Sequence, residues 1–354
     1  MKLLNATLSE ITAPDAAARK AAHARLEQLT MPHWALGRLM DLAEDLAGIA
    51  GTIKPPVARK TIVTMAGDHG ITAEGVSKYP PEVTPQMVHN FVHGGAGINA
   101  LARLAGARVV VVDMGVAGDL SALAKSGKIV SKRVAPGTKN FAKEPAMTRE
   151  QAVRAVEAGI EVARELAAAT DVFGTGDMGI GNTTPSSAIV ATICGAKVAD
   201  VTGRGTGLDD AQFKHKVAVL EKALALHKPN AKDGLDMLGK VGGFEIAGIA
   251  GLILGAAAAR KPVLVDGFIS TAGALIAQSL EPKSVAYMVA AHRSVEQGHR
   301  LALAHLKKQP LLDLDLRLGE GTGAALGMNL VEAAVRVLTE VATFAEAAVS
   351  EADK

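Results

Sequence analysis

A run of glycines followed by polar residues is the strongest chemical signal in the sequence. A buried strand is predicted to end at Phe173, and the run GTGDMGIGNTT follows it. Asn182 or Thr183 as the cap and Pro185 in the first turn predict a helix start. Free N–H groups and the helix dipole suit a phosphate there. The alternative is a tight turn with nothing bound. The candidate ligand residues are Gly174, Gly176, Gly179, Gly181, Asn182 and Thr183.

A second glycine cluster occupies residues 202–210. It contains Gly203, Arg204 and Gly205 and leads into a helix that carries Lys214 and Lys216. A glycine loop followed by a helical lysine predicts the other half of a phosphate clamp. A solvated basic helix face would have the same composition. The adjacent carboxylates at 209 and 210 fit a helix start better than a metal site, so we expect no metal.

A third cluster places one carboxylate between two glycines. Leu318 is followed by Gly319, Glu320 and Gly321, and a helix is predicted from Ala324 to Ala347. A carboxylate in such a loop can approach a ligand closely. Partial desolvation would raise its pKa toward the range of a general base. The alternative is a glutamate that caps the helix.

Candidate residues also follow the first predicted strand. His69 lies in the loop after this strand and is either a ligand-site residue or a hydrogen-bonded loop histidine. Tyr79 and Met87 flank a proline-rich segment, and Thr84 is predicted to cap the next helix. These two apolar side chains belong either to the core or to the wall of an apolar pocket.

Strands and helices alternate along the chain, which predicts an α/β fold with a parallel sheet and helices on both faces. Helices from both chain ends are expected to pack together. Capping boxes are predicted at Thr148 with Gln151 and at Ser294 with Gln297. The predicted strands include residues 61–66, 108–112, 262–265 and 284–290, and the predicted helices include residues 15–29, 33–49, 148–169 and 241–259.

The composition excludes several classes of protein. The chain has 354 residues, a net charge of +2 and a single cysteine. The charge gives no footprint for nucleic acid, and the lone Cys194 fits a reducing cytoplasm. No signal peptide is recognised at the start. The longest apolar run, residues 246–259, is too short to span a bilayer and predicts a buried helix.

Seven stretches together resemble one family, the nicotinate mononucleotide:5,6-dimethylbenzimidazole phosphoribosyltransferases, which make the lower-ligand nucleotide of cobamides. The resemblance spans most of the chain in a consistent order. The stretches are AGDHGI at 66–71, EVT at 82–84, GIGNTT at 179–184, GRGTG at 203–207, VDGFIST at 265–271, HRSVEQGH at 292–299 and GEGTGA at 319–324.

The resemblance implies a fold and a set of roles. It implies a three-layer α/β/α, Rossmann-like domain at 57–324 and a small helical domain built from 1–56 and 325–354. Glu320 would be the catalytic base, with Asp177 as a second acidic group near the reacting centre. No cofactor is implied. The residues expected to bind the phosphoribosyl donor are Gly176, Gly179, Gly181, Asn182, Thr183, Gly203, Arg204, Gly205, Lys216, Asp266, Gly267 and Ser294.

Two departures from the family pattern concern the substrates. The family commonly has glutamate where this chain has Asp177, which puts a backup or orienting role in doubt. The acceptor pocket would be lined by Tyr79, Met87, Met178 and Leu318. Met87 offers no amide hydrogen bond to an azole. The trio of Tyr79, Met87 and Met178 resembles the subgroup that activates phenol and p-cresol, whose members are heteromers of two paralogues.

Three further expectations stay open. The enzyme would be a cytoplasmic dimer, either of itself or with a paralogue, that binds small molecules but neither nucleic acid nor membranes. One rival function is a non-catalytic partner subunit, against which the intact Glu320 argues. The other is a Rossmann dehydrogenase, which would need one early glycine fingerprint rather than three separated clusters.

Overall fold

The structure is a computed structural model that describes residues 1–205 and 207–350. Thr206 of the predicted phosphate loop and residues 351–354 of the predicted helical domain lie outside the described residues.

Six parallel strands form one sheet with the spatial order β3-β2-β1-β4-β5-β6. The chain order reverses between β1 and β4, which is where ligands bind in open α/β sheets, beyond the carboxyl ends of the strands. The strands are β1 Lys60–Gly67, β2 Ala107–Gly115, β3 Val130–Ser131, β4 Val172–Met178, β5 Val263–Val265 and β6 Met288–Ala290.

Sixteen α-helices are described, and two 3₁₀ helices span Gly70–Glu74 and Pro282–Tyr287. The α-helices are α1 Lys2–Glu10, α2 Ala16–Leu26, α3 Arg38–Ala50, α4 Val83–His93, α5 Gly97–Ala105, α6 Ser121–Lys125, α7 Arg149–Ala167, α8 Thr183–Cys194, α9 Val198–Val201, α10 Asp210–His227, α11 Gly234–Val241, α12 Phe244–Ala258, α13 Phe268–Leu280, α14 Gln297–His305, α15 Thr322–Glu340 and α16 Phe344–Ala347.

The two faces of the sheet bury alternate residues against different helices, as the pleat of a strand requires. Val63 and Met65 of β1 belong to the apolar cluster that contains α7, α12 and α13. Ile62 and Ala66 belong to the cluster that contains α3, α5 and α15. The three-layer α/β/α arrangement predicted from the sequence is therefore confirmed.

Helices from the two chain ends meet on one face of the sheet. The Arg25 guanidinium donates to the carbonyl oxygens of Leu338 and Val341, and Leu29 forms an antiparallel bridge with Thr343. Helix α1 instead packs against α7 and α12 in the cluster on the opposite face. The division into domains at 1–56 plus 325–354 and 57–324 stays a prediction.

Two predicted elements are shorter than expected. The strand predicted at 284–290 is mostly the second 3₁₀ helix, because Pro282 opens that helix and the Glu281 side chain accepts from the Lys283 amide. The helix predicted to run to Ala347 ends at Glu340, because Val341 is extended and Thr343 starts a new capped helix.

Two other boundaries also differ from the prediction. The helix predicted at 241–259 is interrupted at Gly242 and Gly243, whose backbones are extended. Strand β4 does not end at Phe173 but continues to Met178, so the first glycines are strand residues and not a loop.

The predicted helix caps have mixed outcomes. The box of Thr148 with Gln151 is confirmed in both directions. Helix α14 begins after Glu296, and the Ser294 hydroxyl accepts from the Glu296 amide, so the second box is wrong. Thr84 lies inside the first turn of α4, where its hydroxyl accepts from the Ile180 amide.

None of the helices in the described part of the chain combines the length and apolarity that crossing a bilayer needs.

Candidate active site

The loop that carries Glu320 crosses the carboxyl end of β4. Glu320 has φ +63°, a left-handed conformation that is rare for residues other than glycine. The Thr64 hydroxyl of β1 donates to the Glu320 carbonyl oxygen at 3.0 Å. A Cβ at Gly176 would lie only 2.3 Å from that same oxygen. The close approach explains why this position of the strand is glycine, and it fixes the backbone of Glu320.

The Glu320 carboxylate is buried at the start of a helix. Its Oε2 accepts from the amide of Ile98, the second residue of α5, at 3.0 Å. Burial raises the pKa of Glu320, the Ile98 amide opposes that rise, and the negative charge of Asp266 adds to it. A buried carboxyl with a raised pKa and one anchored oxygen has the properties of a general base. Glu320 does not cap α15, because Gly321 occupies the cap position.

Asp177 lies beside the Glu320 loop. A Cβ at Gly319 would lie 3.1 Å from Asp177 Oδ2. That oxygen accepts a hydrogen bond from the side-chain amide nitrogen of Asn182 at 3.0 Å. Burial raises the pKa of Asp177 well above its usual value, and the charges of Asp266 and Glu245 raise it further. Burial and the neighbouring carboxylates therefore favour the protonated, uncharged form of Asp177.

Lys216 of α10 is fully buried against the first turn of α8. Its Nζ donates to Thr183 Oγ1 at 2.7 Å and lies 3.5 Å from the carbonyl oxygen of Gly203. Gly205 is at the same place, because a Cβ there would lie 3.5 Å from Lys216 Nζ. Burial lowers the pKa of Lys216 to about 8, although Glu296 opposes the change. A buried cation beside a helix N-terminus suits an oxyanion.

A cavity of about 420 Å³ lies beside this cation. Gly203, Gly205 and Glu296 line it together with Arg204 and Arg317. The Arg204 side chain is half exposed, pairs with Asp210 and lies over the Phe213 ring. The cavity is therefore lined by more positive than negative side chains. It lies at the glycine loop that is predicted from the sequence to bind phosphate.

The other residues predicted to bind the phosphoribosyl donor mainly hold the loops in place. Both Asp266 carboxylate oxygens accept from the start of α15, at the amides of Gly321 and Ala324. Gly267 caps α13. The Ser294 amide donates to His299 Nδ1 at 2.9 Å. Asp266 thus positions the residue that follows Glu320.

Two groups of residues can now be defined and connected. The base end consists of Glu320, Asp177 and Asn182, and the anion end consists of Lys216, Thr183, Gly203, Gly205 and Glu296. Asn182 and Thr183 are consecutive, and they bond to Asp177 and Lys216 respectively. The start of α8 therefore joins the two ends.

The predicted acceptor residues have different surroundings. Met87 and Met178 are half-buried and pack against the same apolar cluster. Leu318 is 59% exposed, and its Cδ2 would lie 2.8 Å from a Cβ at Gly97, next to Glu320 Oε2. Tyr79 is 56% exposed. A single slot lined by all four residues stays a prediction.

Sequence reasoning missed one fully buried and one half-buried carboxylate. Glu245 Oε1 lies 2.7 Å from His69 Nε2, and both side chains are fully inaccessible. Burial alone would lower the pKa of His69, but the Glu245 charge and hydrogen bond raise it. The second carboxylate is Glu296 of the anion end. The glycine pair before α12 and the HRSVEQGH stretch were the only signals in the sequence.

Acidic and histidine side chains are not arranged as metal ligands in the described residues, since no group of three or more could hold an ion.

The comparisons with known proteins agree with this geometry. A family model described as "Phosphoribosyltransferase" matches residues 11–349. The nicotinate-nucleotide–dimethylbenzimidazole phosphoribosyltransferase of Syntrophotalea carbinolica is 66% identical over 99% of both chains. That of Desulfotalea psychrophila is 58% identical over the full length of both chains. The crystal structure of the enzyme from Thermus thermophilus has a TM-score of 0.90 and 44% identity, covering 96% of this chain and 100% of that one.

The protein combines a parallel sheet with a buried carboxylate and a buried cation near the place where the strand order reverses. Here these features belong to a pentosyl transferase. The chain is a member of the nicotinate-nucleotide–dimethylbenzimidazole phosphoribosyltransferase family. It is a base phosphoribosyltransferase of cobalamin synthesis that uses a nicotinate nucleotide, as the sequence motifs predict.

Proposed function

We propose that the chain transfers the 5-phosphoribosyl group of nicotinate mononucleotide to phenol, p-cresol or a benzimidazole. C1′ inverts from β to α, and nicotinate leaves. The observation that carries the proposal is the buried Glu320 carboxylate, which the start of α8 connects to the buried Lys216 ammonium. Such an arrangement provides a base and an anchor for a phosphate within one site.

Glu320 acts as the base in this proposal. The acceptor attacks C1′ from the face opposite nicotinate while Glu320 removes its O–H or N–H proton. The raised pKa of Glu320 supports the role, because a stronger base takes that proton more readily. Nicotinate departs with a neutral pyridine ring, so the leaving group develops no new negative charge.

The anion end binds the 5′-phosphate. Lys216, Thr183 and the amides at Gly203 and Gly205 supply donors around the cavity. Holding the phosphate there leaves C1′ directed toward the base end, so catalysis is largely positioning. Asp266 contributes by fixing the backbone beside Glu320.

The acceptor follows from the apolar side chains near the base end. Met87 and Met178 share one apolar cluster, and the bond from Ile180 to Thr84 ties α4 to the turn after β4. Apolar walls suffice for a phenol ring, whose single O–H reaches the base. The names of the relatives support a benzimidazole, which is also the easier nucleophile. We therefore expect both acceptor classes to react.

An acceptor panel tests this proposal. The purified chain is given nicotinate mononucleotide with phenol, p-cresol or dimethylbenzimidazole, and each riboside phosphate is identified by mass spectrometry. Phenolic products are expected. Turnover of dimethylbenzimidazole with no phenolic product at saturating phenol, with and without a paralogue, would overturn the phenolic assignment but not the family.

A pair of substitutions sharpens the result. Tyr79→Ser with Met87→Gln introduces polar partners for an azole and should shift preference toward benzimidazole. Met31→Gln serves as the control, because Met31 is also a half-buried methionine beside the same cluster. An unchanged preference in the double variant would place the acceptor elsewhere.

We infer from the resemblance that the enzyme is a cytoplasmic dimer, of itself or with a paralogue. Light scattering gives the mass of the purified chain, and activity assays with and without the paralogue separate the two arrangements. An active monomer would contradict both.

A further inference from the structure

Glu296 is a carboxylate in a place where a phosphate is expected. It lines the cavity of the anion end together with Arg204 and Arg317. Its Oε2 would lie 1.7 Å from a Cβ at Gly203, so this oxygen rests against the backbone of the glycine loop. The loop can bring its backbone this close to an anion only because residue 203 is glycine.

The Glu296 oxygen that faces the loop is buried and has no hydrogen-bond partner among the described residues. An unpartnered buried carboxylate oxygen is costly, because water is lost and no donor replaces it. The nearby charges are cations, since Lys216 and Arg317 both act electrostatically on Glu296. Burial raises the pKa of Glu296, and the charges of Lys216 and Arg317 oppose that rise and favour the carboxylate.

We propose that Glu296 is a resident anion of the phosphate pocket. When the donor binds, its 5′-phosphate must displace the Glu296 carboxylate or lie beside it. This inference rests on the proposed phosphate site at Lys216. The negative charge of Glu296 then compensates the cations of the pocket when no ligand is bound. Glu296 also weakens the binding of phosphate esters, because two like charges compete for one buried cation. Easier release of the riboside phosphate product is the corresponding benefit.

Glu296→Gln tests the proposal, because the amide keeps the shape and removes the charge. The dissociation constants of inorganic phosphate and nicotinate mononucleotide are measured by calorimetry with the whole chain. Both should fall by about tenfold, the scale of a one-unit pKa perturbation. Glu296→Asp keeps the charge and should stay close to the parent. Glu221→Gln removes an exposed charge from the helix that carries Lys216, and it controls for net charge.

A gain of affinity is a sharp readout, since damage to the fold does not tighten ligand binding. Unchanged or weaker binding of both ligands to Glu296→Gln would overturn the proposal. Weaker binding of the nucleotide alone would also overturn it, and would mean that Glu296 holds the ribose. Lys216→Ala tells whether the phosphate site itself is wrong, because inorganic phosphate would then bind this variant as well as the parent.

Discussion

The base end buries carboxylates, the anion end buries a cation, and the start of α8 contacts both ends. At the base end, burial raises the pKa values of Glu320 and Asp177. At the anion end, burial lowers the pKa of Lys216 to about 8. Both changes move the groups toward their neutral forms. Burial therefore makes Glu320 a better proton acceptor. Lys216, in contrast, needs the negative charge of a bound ligand to keep its proton above about pH 8.

The two ends also differ in what holds them. Glu320 is fixed by the Thr64 hydroxyl, by the close approach of Gly176 and by the Ile98 amide. Lys216 reaches its place on a long side chain and is held by Thr183. Changes at the base end should therefore act on turnover. Changes at the anion end should act on the affinity for the donor.

The largest effect is expected for Glu320→Gln. Turnover should fall by about a hundredfold or more, the scale of a positioned general base. Donor binding should change little, because Gln keeps the shape of the side chain. Steady-state kinetics and calorimetry measure the two quantities, and Glu340→Gln on the exposed end of α15 is the control. Turnover near that of the parent would remove Glu320 from the mechanism.

The pH profile examines the same base without a mutation. Glu320 must be ionised to accept a proton, and its pKa lies above the ordinary value of 4.5. Turnover should therefore fall as the pH drops through this raised pKa. The acid limb should disappear in Glu320→Gln. A limb that persists in the variant would belong to another group.

The next effect is expected at the anion end. Lys216→Ala removes the buried cation and should raise the KM for nicotinate mononucleotide about tenfold or more, the loss of one charge-assisted contact. The KM for the acceptor should change less. In the parent, donor affinity should weaken above about pH 8, because unliganded Lys216 loses its proton there. A larger change in the acceptor KM would assign Lys216 to the other pocket.

A smaller effect tests how the base end is held. Gly176→Ala would place a Cβ 2.3 Å from the Glu320 carbonyl oxygen, so the loop must move. We expect a loss of about 1–3 kcal/mol of unfolding free energy, the cost of overpacking, together with lower turnover. Denaturant titration and kinetics measure both. Parent-like turnover would show that the loop tolerates displacement.

The sequence was sufficient for the fold class and for the three glycine clusters, because parallel strands read as apolar runs and glycines mark close approaches. The sequence also predicts roles for Glu320 and Lys216, and the burial of both side chains supports these predictions. Contacts between distant segments were not predictable. Nothing local indicates that Asp266 holds the start of α15, or that His69 meets Glu245.

The errors in element boundaries have similar causes. Strand β4 continues through its glycines because β1 pairs with it as far as Met178, and this pairing is a tertiary fact. The sequence predicts Thr84 and Ser294 as helix caps from local pattern alone. Each instead accepts a hydrogen bond from the backbone, at Ile180 and Glu296 respectively.

The smallest effect is expected for Asp177→Asn. Its pKa is raised well above the usual value by burial and by neighbouring carboxylates, which favours the neutral acid. Asparagine has the same shape and stays a neutral hydrogen-bonding group beside Asn182. We therefore expect turnover within about threefold of the parent, far from the general-base scale. Asp177→Ala should cost more, because Asn182 would lose its partner at the start of α8. A hundredfold loss in Asp177→Asn would mean that Asp177 is ionised and shares the proton transfer with Glu320.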